Sequence, residues 1–266
     1  MDDTQQSLKN NRDQSLRYAG KVVCVTGSSR GIGRTLALRF AQEGADVVIN
    51  YFRNGDAARE VVKDIEAMGR KALLVRANMA QEEKILHLFN EIRREFGRLD
   101  VFVHNAASGR NRTAMEVDTK GWDWTLNINT RAFLIGAQQA AGLMPEEGGA
   151  MLALSSFGSD HVFPYYTSVG SSKAALESLV RYFAIELAPR KINVNAISAG
   201  AVMTDALSHF PEMDKTLAHL KKKMPYHRLV APDDIANATL FLCSKDAEMI
   251  RGQTIRLDGG ITLLIP

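Results

Sequence analysis

The stretch Thr26-Gly27-Ser28-Ser29-Arg30-Gly31-Ile32-Gly33 lies between a short apolar run and an amphipathic segment that ends at Gly44. The apolar run, residues 21–25, predicts a buried parallel strand, and residues 33–43 predict a helix. Glycines at this turn let the backbone approach a pyrophosphate closely, and the free N–H groups at the start of the helix favour its negative charge. The stretch therefore predicts a dinucleotide-binding turn at the first strand–helix junction.

Strand-like and helix-like segments continue to alternate along the rest of the chain. Further strands are expected at residues 46–50, 72–75, 99–104, 150–154, 191–197 and 253–257, and one long helix at about 121–143. This alternation predicts an α/β protein, a single doubly wound Rossmann domain with a parallel, seven-stranded sheet over residues 21–266. Ligands of such sheets bind at the carboxyl ends of the strands. The polar residues 1–20 are expected to form a flexible N-terminal leader.

Composition and charge narrow the class of protein. The 266 residues carry a formal net charge of +3, too small to favour nucleic-acid binding. The chain has no run of about 18 apolar residues, so no membrane span is expected. Cys24 lies in a predicted strand and Cys243 in a predicted helix, which predicts two buried, reduced thiols and a cytoplasmic location. No metal site is predicted.

The end of the second predicted strand indicates which dinucleotide binds. The chain reads Asn50-Tyr51-Phe52-Arg53 there, whereas an NAD site usually has an acid for the ribose 2′-hydroxyl. Arg30 lies in the glycine stretch, and two arginines without a carboxylate suit the 2′-phosphate of NADP. The pattern favours NADPH over NADH, unless both arginines are merely solvated.

Several motifs follow in a fixed order along the chain. They are Thr26 to Gly33, Asn78, His104-Asn105-Ala106-Ala107, Asn129, Ser156, Lys173, residues 198–204 and Asp258-Gly259-Gly260. In these motifs the chain resembles the short-chain dehydrogenase/reductase family over residues 20–266, although His104, Ala107 and Ala199 depart from the usual residues. The resemblance implies a homotetramer and catalytic roles for Asn129, Ser156 and Lys173. It implies, with the arginines above, the cofactor-binding residues Gly27, Ser29, Arg30, Gly31, Ile32, Gly33, Arg53, Asn78, Asn105, Ala106, Lys173, Gly200, Val202 and Thr204.

The catalytic tyrosine stands at an unusual distance from the lysine. Tyr166 lies seven residues before Lys173, while the position four residues before it, where most family members carry tyrosine, holds Val169. This spacing resembles that of the enoyl-acyl-carrier-protein reductases, and residues 104–109, 122–125 and 204–207 make the chain most similar to the FabL type. The resemblance implies Tyr166 as the catalytic tyrosine. It also implies that acyl carrier protein, or coenzyme A, carries the enoyl chain.

The spacing suits the chemistry of an enoyl thioester. Reduction of its trans-2 double bond puts hydride on Cβ and negative charge on the thioester oxygen, two carbons further along than in a ketone. The stabilising donor must lie where that charge develops. On a helix, a tyrosine moved by three residues keeps nearly the same azimuth as before but shifts by about 4.5 Å along the axis. Tyr166 would therefore hydrogen-bond the enolate oxygen, and Lys173 would bind the nicotinamide ribose and support Tyr166.

Other interpretations remain open at this point. The enzyme alternative is a 3-ketoacyl, sugar or steroid carbonyl reductase of the same fold, and the non-enzyme alternative is an NADP-binding sensor. Tyr166 could be a packing aromatic, Ser156 a structural hydroxyl, and Asn129 a residue that bonds backbone, kinks its helix and anchors water.

A basic segment at about residues 205–228 follows Thr204. It carries His209, Lys215, His219, Lys221, Lys222, Lys223, His227 and Arg228, interleaved with apolar residues such as Leu217 and Met224. We expect a substrate lid here, with an apolar inner face for an acyl chain and a basic outer face for an acidic carrier protein. A solvated lid without a partner is the alternative.

Overall fold

A computed structural model describes residues 16–202 and 223–264 of the chain. The strands are β1 Val22–Val25, β2 Asp46–Tyr51, β3 Ala72–Arg76, β4 Val101–His104, β5 Gly149–Ser156, β6 Ile192–Ala199 and β7 Thr254–Leu257. The helices are α1 Gly31–Gln42, α2 Gly55–Ala67, α3 Glu82–Phe96, α4 Thr119–Leu126, α5 Ala132–Ala141, α6 Thr167–Glu186 and α7 Pro232–Leu242. A π-helical turn, Asn127–Arg131, joins α4 to α5.

The seven strands form one parallel sheet in the order β3-β2-β1-β4-β5-β6-β7. The order reverses between β1 and β4, which makes this the switch point where ligands of open α/β sheets bind. The predicted doubly wound Rossmann domain with seven parallel strands is confirmed.

Alternate residues of the central strands point into two separate cores. In β1, Val23 and Val25 pack on the face covered by α1, α2 and α7, whereas Val22 and Cys24 pack on the face covered by α3, α5 and α6. Burial on both faces explains why the strands read as continuous apolar runs. Both cysteines are buried and unpaired, as the sequence predicts.

The structure differs from the predicted element boundaries in two places. The single helix predicted at about 121–143 is broken by the π-helical turn Asn127–Arg131. The packed domain also begins before residue 21, because Tyr18 is buried and its hydroxyl donates to the carbonyl oxygen of Leu240 at 2.6 Å. Residues 1–15 of the predicted leader lie outside the described residues. Within residues 16–202 and 223–264, no helix has both the length and the apolar content to cross a bilayer.

Candidate active site

Residues 26–33, here called the glycine loop, connect β1 to α1 at the switch point of the sheet. Gly27 and Gly31 have φ of 66° and 53°, which a residue with a Cβ adopts only at a cost. Gly33 is required for space instead, because a Cβ there would lie 2.3 Å from the carbonyl oxygen of Gly27. The first turn of α1 contains no acidic residue, so its free N–H groups keep their attraction for an anion. The residues of the loop fit a dinucleotide pyrophosphate.

Side chains from two neighbouring strands hold the glycine loop in place. The Asn105 amide donates to the carbonyl oxygens of Thr26 and Gly27 at 2.8 and 3.1 Å, and the backbone N–H of Ala106 donates to Thr26 Oγ1 at 3.0 Å. From β2, Asn50 Oδ1 accepts from the N–H of Gly27 at 3.1 Å. In the sequence, Asn50 is notable because it stands where an NAD site usually has an acid. A polar residue within an apolar strand is the signal that indicates its role in bracing the loop.

The remaining predicted cofactor residues lie at the carboxyl ends of the strands. Asn78 follows β3 and is buried, and its side chain accepts from the N–H of Ala80 at 3.1 Å. Gly200 follows β6, where its N–H donates to the carbonyl oxygen of Leu257 at 3.0 Å, and Val202 pairs with Val230 in a parallel bridge. Thr204 lies outside the described residues. Ser29 and Lys173 are buried and Ile32 is half-buried. Arg30 and Arg53 are exposed at the rim of the site.

Asn129 lies in the π-helical turn, and all its polar groups are occupied by the protein. Its Oδ1 accepts from the backbone N–H of Ser108 at 3.0 Å, and its Nδ2 donates to Ser172 Oγ at 2.9 Å. The side chain is fully buried. Asn129 therefore ties α6 to the loop after β4, and the catalytic role that the resemblance implies stays a prediction. The helix changes to a π-helical turn at this residue.

Lys173 projects from α6 toward the end of β5, where its ammonium group donates to the carbonyl oxygen of Leu154 at 2.6 Å. Burial lowers the pKa of Lys173 to about 8, because desolvation disfavours the charged form, and the negative charge of Glu177 opposes this. Glu177 itself accepts a hydrogen bond from Ser155 Oγ. Lys173 is thus a cation near neutral pH whose charge depends on one carboxylate four residues along α6.

His104, at the end of β4, is a buried residue that the sequence analysis recorded only as a departure from the family motif. Its Nε2 lies 3.1 Å from the carbonyl oxygen of Asn129, which can only accept, so Nε2 carries the proton. Burial and the nearby charge of Lys173 lower the pKa of His104 to about 3. The neutral ring leaves Nδ1 as a buried acceptor without a partner in the described protein.

Tyr166 caps the amino end of α6, with φ of −104° and ψ of 11°, so it does not lie within the helix as the spacing argument assumed. The helical hydrogen bond is nevertheless present, because its carbonyl oxygen accepts from the N–H of Gly170 at 2.7 Å. The phenol donates to Ser156 Oγ at 3.4 Å, at the end of β5. Burial raises the pKa of Tyr166, and the bond to Ser156 opposes this, so the hydroxyl is a proton donor at neutral pH.

Val169, where most relatives of this fold carry tyrosine, is buried against the loop after β4. A Cβ on Gly109 would lie only 2.2 Å from Val169 Cγ2, so the two residues touch with no space between them. Ser168 Oγ donates to the carbonyl oxygen of Arg110 at 3.3 Å in the same contact. A tyrosine at position 169 would have to displace this loop.

The predicted lid can be described only at its carboxyl end, because residues 205–222 lie outside the described residues. Met224 is buried, and its Cε occupies the space beside Gly259. Arg228 is exposed, and its guanidinium is paired within the chain. It donates to Asp234 at 2.8 Å and lies over the ring of Tyr226 at 5.3 Å.

Comparisons with known proteins identify the family of the chain. A family model described as enoyl-(acyl carrier protein) reductase matches residues 27–262. The 1-cyclohexenylcarbonyl-CoA reductase of Streptomyces collinus is 39% identical over 248 residues, which are 92% of this chain and 88% of that protein.

Two solved structures extend the likeness to the whole fold. A 7α-hydroxysteroid dehydrogenase complexed with NADH and 7-oxo glycochenodeoxycholic acid has a TM-score of 0.87 at 35% identity and covers 94% of this chain and 97% of its own. A short-chain dehydrogenase from Burkholderia cenocepacia J2315 in complex with NADP has a TM-score of 0.86 at 31% identity and covers 92% and 99%.

Proposed function

The chain belongs to the short-chain dehydrogenase/reductase superfamily, and on that premise we propose that it reduces the trans-2 double bond of enoyl thioesters with NADPH. The enoyl chain is carried by acyl carrier protein or by coenzyme A. The family match and the reductase names of the relatives support an oxidoreductase of this family.

The position of the phenol supports the enoyl substrate. Tyr166 reaches Ser156 from the start of α6, one turn before the position that most family members use. That position holds Val169, which has no proton to donate and is enclosed by Gly109. The Streptomyces relative supports the same chemistry, since its name describes a thioester with a double bond next to the carbonyl.

In the proposed reaction Tyr166 stabilises the charge that develops on the thioester oxygen. NADPH, when bound, would supply the hydride that reaches Cβ of the enoyl group, and a proton taken from water at Cα would convert the enolate into the saturated thioester. The phenol of Tyr166 stays protonated because burial raises its pKa, so it hydrogen-bonds the enolate oxygen rather than removing a proton. Ser156 orients the phenol, and the charge of Lys173 lies behind it on the next two turns of α6.

The choice of NADPH is proposed from the rim of the cofactor site. Arg30 and Arg53 are exposed beside the glycine loop, and β2 ends at Tyr51 without a carboxylate. Guanidinium groups suit a dianionic 2′-phosphate, which supports NADPH over NADH. The structure from Burkholderia cenocepacia contains NADP, whereas the hydroxysteroid dehydrogenase contains NADH, so both cofactors occur among the relatives.

Carbonyl reduction is the second candidate function. The hydroxysteroid dehydrogenase is complexed with a 7-oxo steroid, and Ser156 is retained here next to the phenol. The buried Val169 speaks against it, because a ketone places its oxygen where the usual tyrosine would donate.

One assay separates the candidates. NADPH oxidation is followed with crotonyl thioesters and with acetoacetyl thioesters, on the wild type, Tyr166→Phe and Tyr165→Phe. We expect the enoyl thioester to be preferred and Tyr166→Phe to lower kcat by about 100-fold or more, since it removes one donor to a developing oxyanion. Tyr165→Phe is the matched control, because Tyr165 is half exposed beside it.

The outcomes are distinct. Faster reduction of the ketone than of the enoyl substrate would overturn the proposal in favour of the carbonyl reductase. Turnover of neither substrate, with NADPH still bound, would favour the sensor. If Tyr165→Phe lowers kcat as much as Tyr166→Phe does, the loss is not specific to Tyr166, and its assignment as the donor fails.

The carrier, assembly and location belong to the same proposal. We propose acyl carrier protein or coenzyme A as carrier, a homotetramer and a cytoplasmic setting. Crotonyl groups on the two carriers, compared by kcat/KM, identify the carrier. Light scattering after size exclusion measures the number of subunits.

A further inference from the structure

Tyr166 lies directly against the backbone of Gly158, in the loop between β5 and α6. Gly158 belongs to the 3-10 turn Phe157–Ser159 that follows Ser156. A Cβ on Gly158 would lie 2.6 Å from both Cδ1 and Cε1 of the Tyr166 ring. Real Cβ contacts are longer, so the ring fits only because position 158 has no side chain.

The backbone of Gly158 does not itself require glycine. Its φ lies outside the left-handed region, so an alanine could adopt the same backbone conformation. The nearest atoms to a Cβ belong to Tyr166, with Phe163 next at 3.5 Å. Space for the phenol ring is therefore what the glycine supplies.

Gly170 provides a second close approach to the same turn. A Cβ at this position would lie 2.5 Å from the carbonyl oxygen of Gly158. Gly170 lies inside α6, where glycine costs about 1 kcal/mol relative to alanine. The close approach of α6 to the turn accounts for this unfavourable residue.

Two further contacts involve Tyr166, one through its ring and one through its backbone. Phe163 meets Tyr166 edge to face with ring centroids 6.2 Å apart, and the backbone of Arg112 pairs with that of Tyr166 in a parallel bridge. The residue before it, Tyr165, has φ of 63°, a strained conformation for a side chain of this size. Gly158, Phe163 and the Arg112 bridge together form what we call the phenol slot.

We propose that Gly158 is a positioning residue that sets where the hydroxyl of Tyr166 lies relative to Ser156, with Gly170 holding Gly158 in place. The proposal rests on the proposed function only in taking Tyr166 as the hydrogen-bond donor to the substrate oxygen. It goes further in assigning the position of the displaced phenol to Gly158 of the phenol slot and to Gly170, which holds Gly158. A ring moved by an alanine at position 158 would no longer present its oxygen at the substrate.

The test is a double-mutant cycle with Gly158→Ala and Tyr166→Phe. The Cβ forces the ring to shift by roughly 1 Å, and a misplacement of that size lowers kcat by about 100-fold. If the glycine acts through the phenol, Gly158→Ala has no further effect once the hydroxyl is gone, so the double variant equals Tyr166→Phe. The NADPH Kd, measured by fluorescence titration, stays within about twofold, because the slot lies outside the glycine loop.

Gly142→Ala is the matched control. Gly142 caps the end of α5, far from the slot, and a Cβ there meets its nearest atom at an ordinary 3.4 Å. It tests whether any glycine-to-alanine change slows the enzyme. Gly170→Ala is the second variant, should Gly158→Ala fail to fold. It pushes on the carbonyl of Gly158 and is expected to lower kcat in the same cycle.

The outcomes separate this proposal from the proposed function. Independent losses that multiply in the double variant would overturn the positioning role, as would a Gly158→Ala enzyme with wild-type kcat. If the wild type reduces the ketone instead, the enoyl assignment fails, and the cycle run with the ketone still decides the role of Gly158. If Tyr166→Phe has no effect on either substrate, the positioning role falls because no donor is being positioned.

Discussion

The glycine loop and the phenol slot both bring a backbone into close contact with another group, but they are held in different ways. In the glycine loop, Asn50 of β2 and Asn105, which follows β4, bond the backbone directly, and Thr26 of the loop accepts from the N–H of Ala106. In the phenol slot, the ring of Tyr166 lies against Gly158, where a Cβ would clash, and its hydroxyl donates to Ser156 Oγ at 3.4 Å. The glycine loop therefore depends chiefly on directional bonds, whereas the phenol slot also depends on a close steric contact.

This difference predicts different sensitivities. A bonded loop tolerates the loss of one partner but not a backbone clash, whereas a steric slot changes with each added atom. Changes in the glycine loop should appear in cofactor binding, and changes in the slot should appear in kcat. Three further variants test this difference between the two regions.

Gly33→Ala is expected to have the largest effect. The new Cβ would meet the Gly27 carbonyl oxygen at 2.3 Å and the Asn105 amide nitrogen at 2.5 Å, so the loop and its brace must both move. Overpacking of this kind costs about 3 kcal/mol, so we expect the NADPH Kd to rise about 100-fold, measured by calorimetric titration. Gly142→Ala again serves as control. An unchanged Kd with a lowered kcat would show that the two regions are not separate.

The glycine loop could be predicted from the sequence, but the phenol slot could not, because of where the determining residues lie. The glycines from 27 to 33 stand within one strand–helix junction, and the apolar runs show which strands flank it. Gly158 and Gly170 lie twelve residues apart in the chain. Their importance is visible only in the folded structure, where Gly158 lies against the ring of Tyr166 and Gly170 against the carbonyl of Gly158. Steric contacts of this kind leave no periodicity in a sequence.

Buried polar residues can be predicted from the sequence less well than the glycine loop but better than the phenol slot. The sequence indicates an irregular helix at Asn129. The partners of the Asn129 side chain, Ser108 and Ser172, depend instead on how α6 packs on the sheet. The bond from Asn50 to the glycine loop follows from the register of β1 and β2, which no single strand encodes. The sequence places Arg228 in a basic segment but does not show its pairing with Asp234 at the start of α7.

Arg53→Ala tests the unbraced rim of the cofactor site and should have a smaller effect. Arg53 is exposed, with its guanidinium 5.7 Å from the centre of the Phe52 ring. An exposed charged contact is worth about 1 kcal/mol, so we expect NADPH affinity to fall about fivefold more than NADH affinity. Arg94→Ala, which removes an exposed charge from α3, is the control. Equal losses for both cofactors would remove the argument for the 2′-phosphate.

Glu177→Gln acts on Lys173, where the two regions meet, and should have the smallest effect. Burial lowers the pKa of Lys173 to about 8, and the carboxylate of Glu177 raises it. The charged lysine predominates below this pKa, so a rate that needs the charge falls as the pH rises through about 8. Without the carboxylate the pKa is lower, and the fall should begin at a lower pH by a few tenths of a unit.

The glutamine at position 177 keeps an oxygen that can accept from Ser155, so packing is largely preserved while the charge is lost. Glu186→Gln, on an exposed site further along α6, makes the same change in net charge and is the control. The measurement is kcat/KM against pH for the three proteins. A basic limb that stays in place in Glu177→Gln, or that moves equally in Glu186→Gln, would mean that the limb does not report the charge of Lys173. A shift confined to Glu177→Gln would show that a single carboxylate on α6 tunes the cation on which both the ribose and the phenol are expected to depend.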